Sequence, residues 1–145
     1  MYKKARKTLE KCVAYRLARI KFDVVMREDF KNLSGYDQIG RILRKFVAMG
    51  KLIRIGYGLY AKTTLSPLSG KIIPRKSLNA LAKEALLRLN VDVQFSTHDQ
   101  AYNEGRSTQI PTGRVIGVRG RVSRKIGCEG KEVVFERVPR KQRTN

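Results

Sequence analysis

Gln38, Arg41, Arg44 and Lys45 carry hydrogen-bond donors, three of them cationic, and recur at intervals of three or four residues or side by side. At roughly 100° per residue that spacing gathers them with Ala48 on one face of a helix, with Tyr36 and Asp37 at its front. The chemistry open to such a face is recognition: amide and guanidinium donors meet base edges, and cations meet phosphate oxygens. Read plainly, the same face is the solvated basic side of an amphipathic helix. Lys51, Arg54 and Lys62 follow within one short basic segment that has Tyr57 near its middle. A hairpin there can lie along a phosphate backbone or reach a minor groove, or Tyr57 can pack back on its own domain. The expected nucleic-acid contacts are Tyr36, Gln38, Arg41, Arg44, Lys45, Lys51, Arg54 and Tyr57.

Reactive chemistry is sparse by comparison. His98 is the single histidine, and its neighbour Asp99 makes no catalytic pair unless the fold aims the two together. Ser107 and Thr108 follow Gly105-Arg106 without a Walker lysine pattern, and no G-x-S-x-G is present. Cys12 and Cys128 stand apart, without metal-type spacing, and read as reduced thiols. No enzyme, cofactor or metal is expected.

The elements that must position the basic face are legible from period and punctuation. Ile39, Ile42, Leu43, Phe46 and Val47 form an apolar stripe at 3.6-residue period, so they turn inward and the donors outward. Ser34 is expected as the N-cap, with Asp37 completing a weak capping box, and Gly50 as the stop. Lys51 to Ile55, the turn Gly56-Tyr57-Gly58 and Leu59 to Lys62 read as a two-stranded hairpin. Upstream, residues 3–21 read as a helix with Leu9, Val13, Leu17 and Ile20 inward and Cys12 beside them. Phe22 to Met26 is extended, and Arg27 to Leu33 a short helix with Phe30 and Leu33 inward. Helix, strand, helix, the Ser34-Gly35 turn, helix and hairpin is the order of a winged helix-turn-helix, expected over residues 1–62.

Beyond it, residues 63–74 contain Ser66-Pro67, Ser69-Gly70 and Pro74 and read as a linker. Leu78, Leu81, Ala82, Ala85, Leu86 and Leu89 then mark an amphipathic helix, capped at Ser77 or begun a little earlier near Pro74, and closed at Asn90. Val91 to Phe95 reads as a strand and Thr97 to Glu104 as a short helix. Arg114 to Arg119, Arg121 to Ile126 and Lys131 to Val138 read as antiparallel strands, with a turn at Gly127 to Gly130. The expected architecture is α+β: the winged helix, then a small α+β domain over 75–138 and a basic tail over 139–145. Arg114, Arg119, Arg121, Arg124 and Lys125 fall in a stretch free of acidic residues, which reads either as a second basic surface or as a solvated sheet face. Tyr102, Asn103, Arg106, Ser107, Thr108 and Gln109 form a segment rich in hydrogen-bonding side chains that suits a structural plug or a binding epitope.

Composition names the partner class. The 145 residues carry a net charge of +20, which favours a polyanion, and no apolar segment suits a membrane. The N-terminus is basic but has no signal-type apolar run, so a cytoplasmic location at the nucleoid is expected. Duplex DNA is the leading partner. A charge so dispersed also suits RNA or the ribosome, although no aromatic RNA-stacking signature is present.

REDF at 27–30, GYDQIGRILRKFVAMGKLIRIGYGLYAK at 35–62 and YNEGRSTQIP at 102–111 together resemble the AbiEi-type family of bacterial antitoxins and transcriptional regulators of type IV toxin-antitoxin systems. The resemblance covers about residues 20–125. It implies a DNA-binding winged helix that represses its own operon. It also implies a second domain that counters a nucleotidyltransferase-like toxin, with or without touching it. The chain is shorter than the larger members of that family.

Overall fold

The structure is a computed structural model that describes residues 8–106 and 114–139, apart from the His98 side chain. The chain is mixed α+β and divides into two compact units: Met1–Arg54 with Gly58–Arg75, and Ile55–Tyr57 with Lys76–Asn145.

In the first unit, α1 spans Leu9–Arg19, and Thr8 caps it by accepting from the Lys11 amide at 3.3 Å. β1 (Val24–Met26) is buried along its length, and a 3₁₀ turn, Arg27–Phe30, follows. α2 covers Tyr36–Ala48, β2 Leu52–Gly56, β3 Leu59–Leu65 and β4 Ile72–Pro74, with Ile55 and Gly56 at the end of β2 grouped with the second unit. The strands form one sheet in the order β1–β3–β2, and β4 pairs with the far half of β3. Val13, Leu17, Val25, Phe30, Ile39, Leu43, Phe46, Leu52 and Tyr60 make a shared core of both helices, the 3₁₀ turn and the sheet. Ile42 and Val47 pack partly buried against it, so the apolar stripe of α2 faces inward as its spacing requires.

Several local expectations are corrected. The N-cap of α2 is Gly35, without a side-chain cap, and the Ser34 hydroxyl donates to Gln38 instead. Ser34 lies one residue too far out, because the helix opens at Tyr36. The second helix is only the 3₁₀ turn, held by the Asp29 carboxylate accepting from the Met26 amide at 2.8 Å. The first helix is shorter than residues 3–21, and positions 3–7 lie outside the described residues.

Residues 63–74 are no linker. Thr63, Thr64 and Leu65 continue β3 and pair antiparallel with Pro74, Ile73 and Ile72. The Ser66-Pro67 and Ser69-Gly70 pairs do form a turn, but one that closes a hairpin: the Ser66 amide bonds the Lys71 carbonyl at 2.8 Å. Pro74, which has no donor, is accommodated because β4 is a short strand paired with β3. Thr63 ties this extension to the end of α2, donating from Oγ1 to the Gly50 and Lys51 carbonyls at 2.8 and 3.1 Å.

In the second unit, α3 (Leu78–Arg88) is capped by Ser77 and buries Leu81, Ala82, Ala85 and Leu86. Asn90 ends it in the left-handed region at φ 62°. β5 (Val93–Gln94) leads to α4 (Thr97–Asn103), opened by a Ser96–Asp99 capping box. β6 (Val115–Val118), β7 (Gly127–Cys128), β8 (Lys131–Glu132) and β9 (Val134–Arg137) complete the unit. β6 lies between β5 and β9, antiparallel to β5 and parallel to β9. The sheet is therefore mixed rather than antiparallel, and residues 121–126 form no strand. A parallel partner for β6 must start at the same end as β6, so the chain has to cross back first. Residues 119–133 make that return, carrying the β7–β8 hairpin, whose Glu129 and Gly130 both have positive φ as a tight two-residue turn requires. Among the described residues, no helix is long and apolar enough to cross a membrane.

Candidate nucleic-acid interface

The first unit gathers five of the expected contacts on α2. Tyr36, Gln38, Arg41, Arg44 and Lys45 are all exposed, opposite the buried Ile39, Leu43 and Phe46. Gln38 is held by the Ser34 hydroxyl, which leaves its amide donors to face outward. Lys45 bonds Glu10 of α1 at 2.8 Å, a solvent-exposed pair of about 0.2–1 kcal/mol that a phosphate can exchange. Lys51 rests its ammonium 5.2 Å from the centre of the Phe46 ring. Arg54 is exposed on β2. Tyr57 is 69% exposed at the hairpin turn, so its ring does not pack back. Its carbonyl accepts from Arg124 Nη1 at 3.2 Å within the second unit.

Arg27 escaped the sequence reading. Its guanidinium carbon lies 4.2 Å from the centre of the Tyr36 ring, and Nε is buried with no hydrogen-bond partner. Gly40, buried in the middle of α2, makes that placement possible: a Cβ there would stand 2.7 Å from the Arg27 guanidinium carbon. A mid-helix glycine costs about 1 kcal/mol relative to alanine, and an unpaired buried donor about 1–3 kcal/mol. Both costs fall at one point of the helix. The sequence held one signal of it, since a glycine inside a helical pattern marks a close approach.

The second basic stretch is dispersed. Arg119 pairs with Asp92 at 3.4 Å and Arg124 is spent on the Tyr57 carbonyl. Arg114, Arg121 and Lys125 are exposed. Because residues 121–126 lie in the crossover, the five cations do not alternate along one sheet face. In the 102–111 segment Tyr102 is 40% exposed and Arg106 pairs with Glu104 at 2.8 Å; residues 107–111 lie outside the described residues. Asp99 serves as a helix cap, its carboxylate accepting from the Ser96 amide at 3.2 Å. Burial, and then the neighbouring Glu129 carboxylate, push the Cys128 thiol upward. Among the described residues, no group of three His, Cys, Asp or Glu is placed to hold a metal ion.

The family model described as Family of unknown function (DUF6088) matches residues 15–144. The chain belongs to this family. The DUF6088 match takes in the last five residues of α1, all of α2, the β2–β3 hairpin and the Arg114–Lys125 stretch, so the candidate surface lies wholly inside the family region. No curated protein and no solved structure matches the chain.

Proposed function

We propose that the chain is a sequence-specific duplex-DNA-binding regulator whose first unit is a winged helix-turn-helix, with α2 reading bases and the β2–β3 hairpin as its wing. One observation carries the reading: α2 keeps Gln38, Arg41 and Arg44 on an exposed face and passes through Gly50 directly into a hairpin bearing Arg54 and an exposed Tyr57. Helix, strand, 3₁₀ turn, helix and hairpin, with sheet order β1–β3–β2, supports that architecture. A helix of this shape fits the major groove, with its N-terminal residues nearest the base edges. The net charge of +20 supports a polyanion partner, and the exposed Arg121 and Lys125 add to it. Autorepression of an antitoxin operon, action at the nucleoid and a nucleotidyltransferase-like toxin as functional partner follow from the AbiEi-type resemblance and belong to the same proposal. Fluorescence anisotropy of the full chain decides between partners, using the duplex upstream of its own gene, a scrambled duplex and a structured RNA. Preference for the upstream duplex over both others is expected. Preference for the RNA overturns the reading in favour of an RNA-binding or ribosome-associated protein. Failure to bind either nucleic acid leaves an antidote that covers an acidic toxin directly.

A further inference from the structure

Arg27, outside the expected contact set, occupies the N-terminal half of the proposed reading helix in a way that ordinary packing does not explain. Its guanidinium is laid on the Tyr36 ring at 4.2 Å and pressed on Gly40, where any side chain would collide with it. Nε is sealed from solvent without a partner. An arginine used for packing keeps its head in water or pairs it; this one gives up a donor to stay in place. Two departures from local stability rules at one point of an otherwise regular element mark a functional constraint. The two Nη groups are the part of the fork left to do work, held by a stacking platform below and a glycine seat beside. Guanidinium forks pair with phosphate oxygens, and phosphate contacts at a helix start set the register of the helix in its groove.

We infer that Arg27 is a pre-positioned phosphate clamp, binding one backbone phosphate of duplex DNA beside the start of α2, with Tyr36 and Gly40 as the residues that hold it. The inference rests on the duplex-DNA reading above and adds to it a positioning residue contributed by the 3₁₀ turn. Gly40 is thereby assigned to DNA binding although its side-chain-free face touches no DNA.

The test is a salt titration of binding with the full chain, against the upstream duplex and a scrambled duplex, for wild type, Arg27→Gln, Arg27→Lys, Gly40→Ala and the double variant Arg27→Gln/Gly40→Ala. Arg27→Gln should reduce the slope of log K against log salt by about 0.9, the worth of one phosphate, and weaken both duplexes about eight-fold at 0.1 M salt. Arg27→Lys keeps the charge and should keep the slope while losing affinity, because an ammonium neither forks nor stacks as a plane. Gly40→Ala pushes the guanidinium off its seat and should reproduce the affinity loss of Arg27→Gln, and the double variant should lose no more than either single one. Thermal melts of each variant identify any that do not fold, and the Lys variant then carries the decision. If wild type binds duplex DNA and the Gln and Lys variants match it in slope and affinity, the clamp is refuted while the parent reading stands. Absence of duplex binding by wild type removes both. Additive losses in the double variant refute the seating role of Gly40.

Discussion

Replacing Gly50 by alanine should destabilise the first unit more than any other glycine substitution in a turn of that unit. Gly50 has φ 79°, a left-handed conformation that costs an L-residue about 1–2 kcal/mol. The new Cβ would also lie 2.3 Å from Cδ1 of Ile72 on β4, against a comfortable separation of about 3.5–4.0 Å. Ile72 is 45% exposed, so it has room to swing, and the cost of forcing it aside is taken as about 0.5–1.5 kcal/mol. The two contributions together predict a loss of about 1.5–3.5 kcal/mol, or roughly 6–28 °C in the melting of a unit this size. Gly70 supplies the control, because it has φ 69° and nothing within 4 Å of an added Cβ; Gly70→Ala should lose the conformational part alone. Adding Ile72→Ala to Gly50→Ala should recover the steric part, about 0.5–1.5 kcal/mol, and leave the rest. The assay is denaturant-dependent hydrogen exchange of peptides from α2 and β3, which reports the first unit separately from the second. A Gly50→Ala loss no larger than that of Gly70→Ala, or no recovery from Ile72→Ala, refutes the contact between the end of α2 and β4.

Binding to duplex DNA should weaken steeply with salt, with a slope near −5 if Arg27, Arg44, Lys45, Lys51, Arg54 and one cation of the second unit neutralise about six phosphates; a flat titration contradicts it. Gln38→Ala and Arg41→Ala should each reduce preference for the cognate duplex by about 1–3 kcal/mol, whereas Arg54→Ala should weaken all sequences alike, and competition binding distinguishes the two patterns. A fragment ending at Arg75 should fold and one ending at Lys62 should not, as circular dichroism will report, because the shorter removes β4 and the Thr63 bonds to Gly50 and Lys51. With Cys12 changed to serine, Cys128 should alkylate more slowly than free cysteine at pH 8 and approach it only as pH rises, since its thiol is pushed upward and stays protonated longer; equal rates at pH 8 would show that burial does not act on it.

The apolar stripe of α2 was legible because Ile39, Leu43 and Phe46 repeat at a helical period and nothing in the tertiary structure competes with that burial. The stop at Gly50 and the cap at Ser77 were legible for a similar reason, since both are decided by local backbone chemistry. Residues 63–74 misled because a Ser-Pro and Ser-Gly turn looks the same whether it joins two domains or two strands. What distinguishes the cases is the pairing of Thr63 with Pro74, which is not local. Residues 121–126 misled in the opposite direction: Val122 and Ile126 are spaced as in a strand, but the parallel pairing of β6 with β9 takes that length of chain for the return. In the candidate site, exposure of the α2 donors could be read from the stripe they oppose. Arg27 was signalled only by the glycine inside the helical pattern, because its placement depends on Tyr36 and Gly40, nine and thirteen positions away by the numbering, arriving beside it in space.

β3 is gripped along its whole length, with Leu59 to Ala61 on β1 and Thr63 to Leu65 on β4. For anyone wishing to retarget the protein, this makes the hairpin tip a graft site. Residues 56–58 can be exchanged or lengthened while the strand behind them keeps its register, and each doubling of the loop adds only about 0.6 kcal/mol of closure entropy. On the proposed duplex-DNA reading, new side chains for a different groove width can therefore be installed there without redesigning α2.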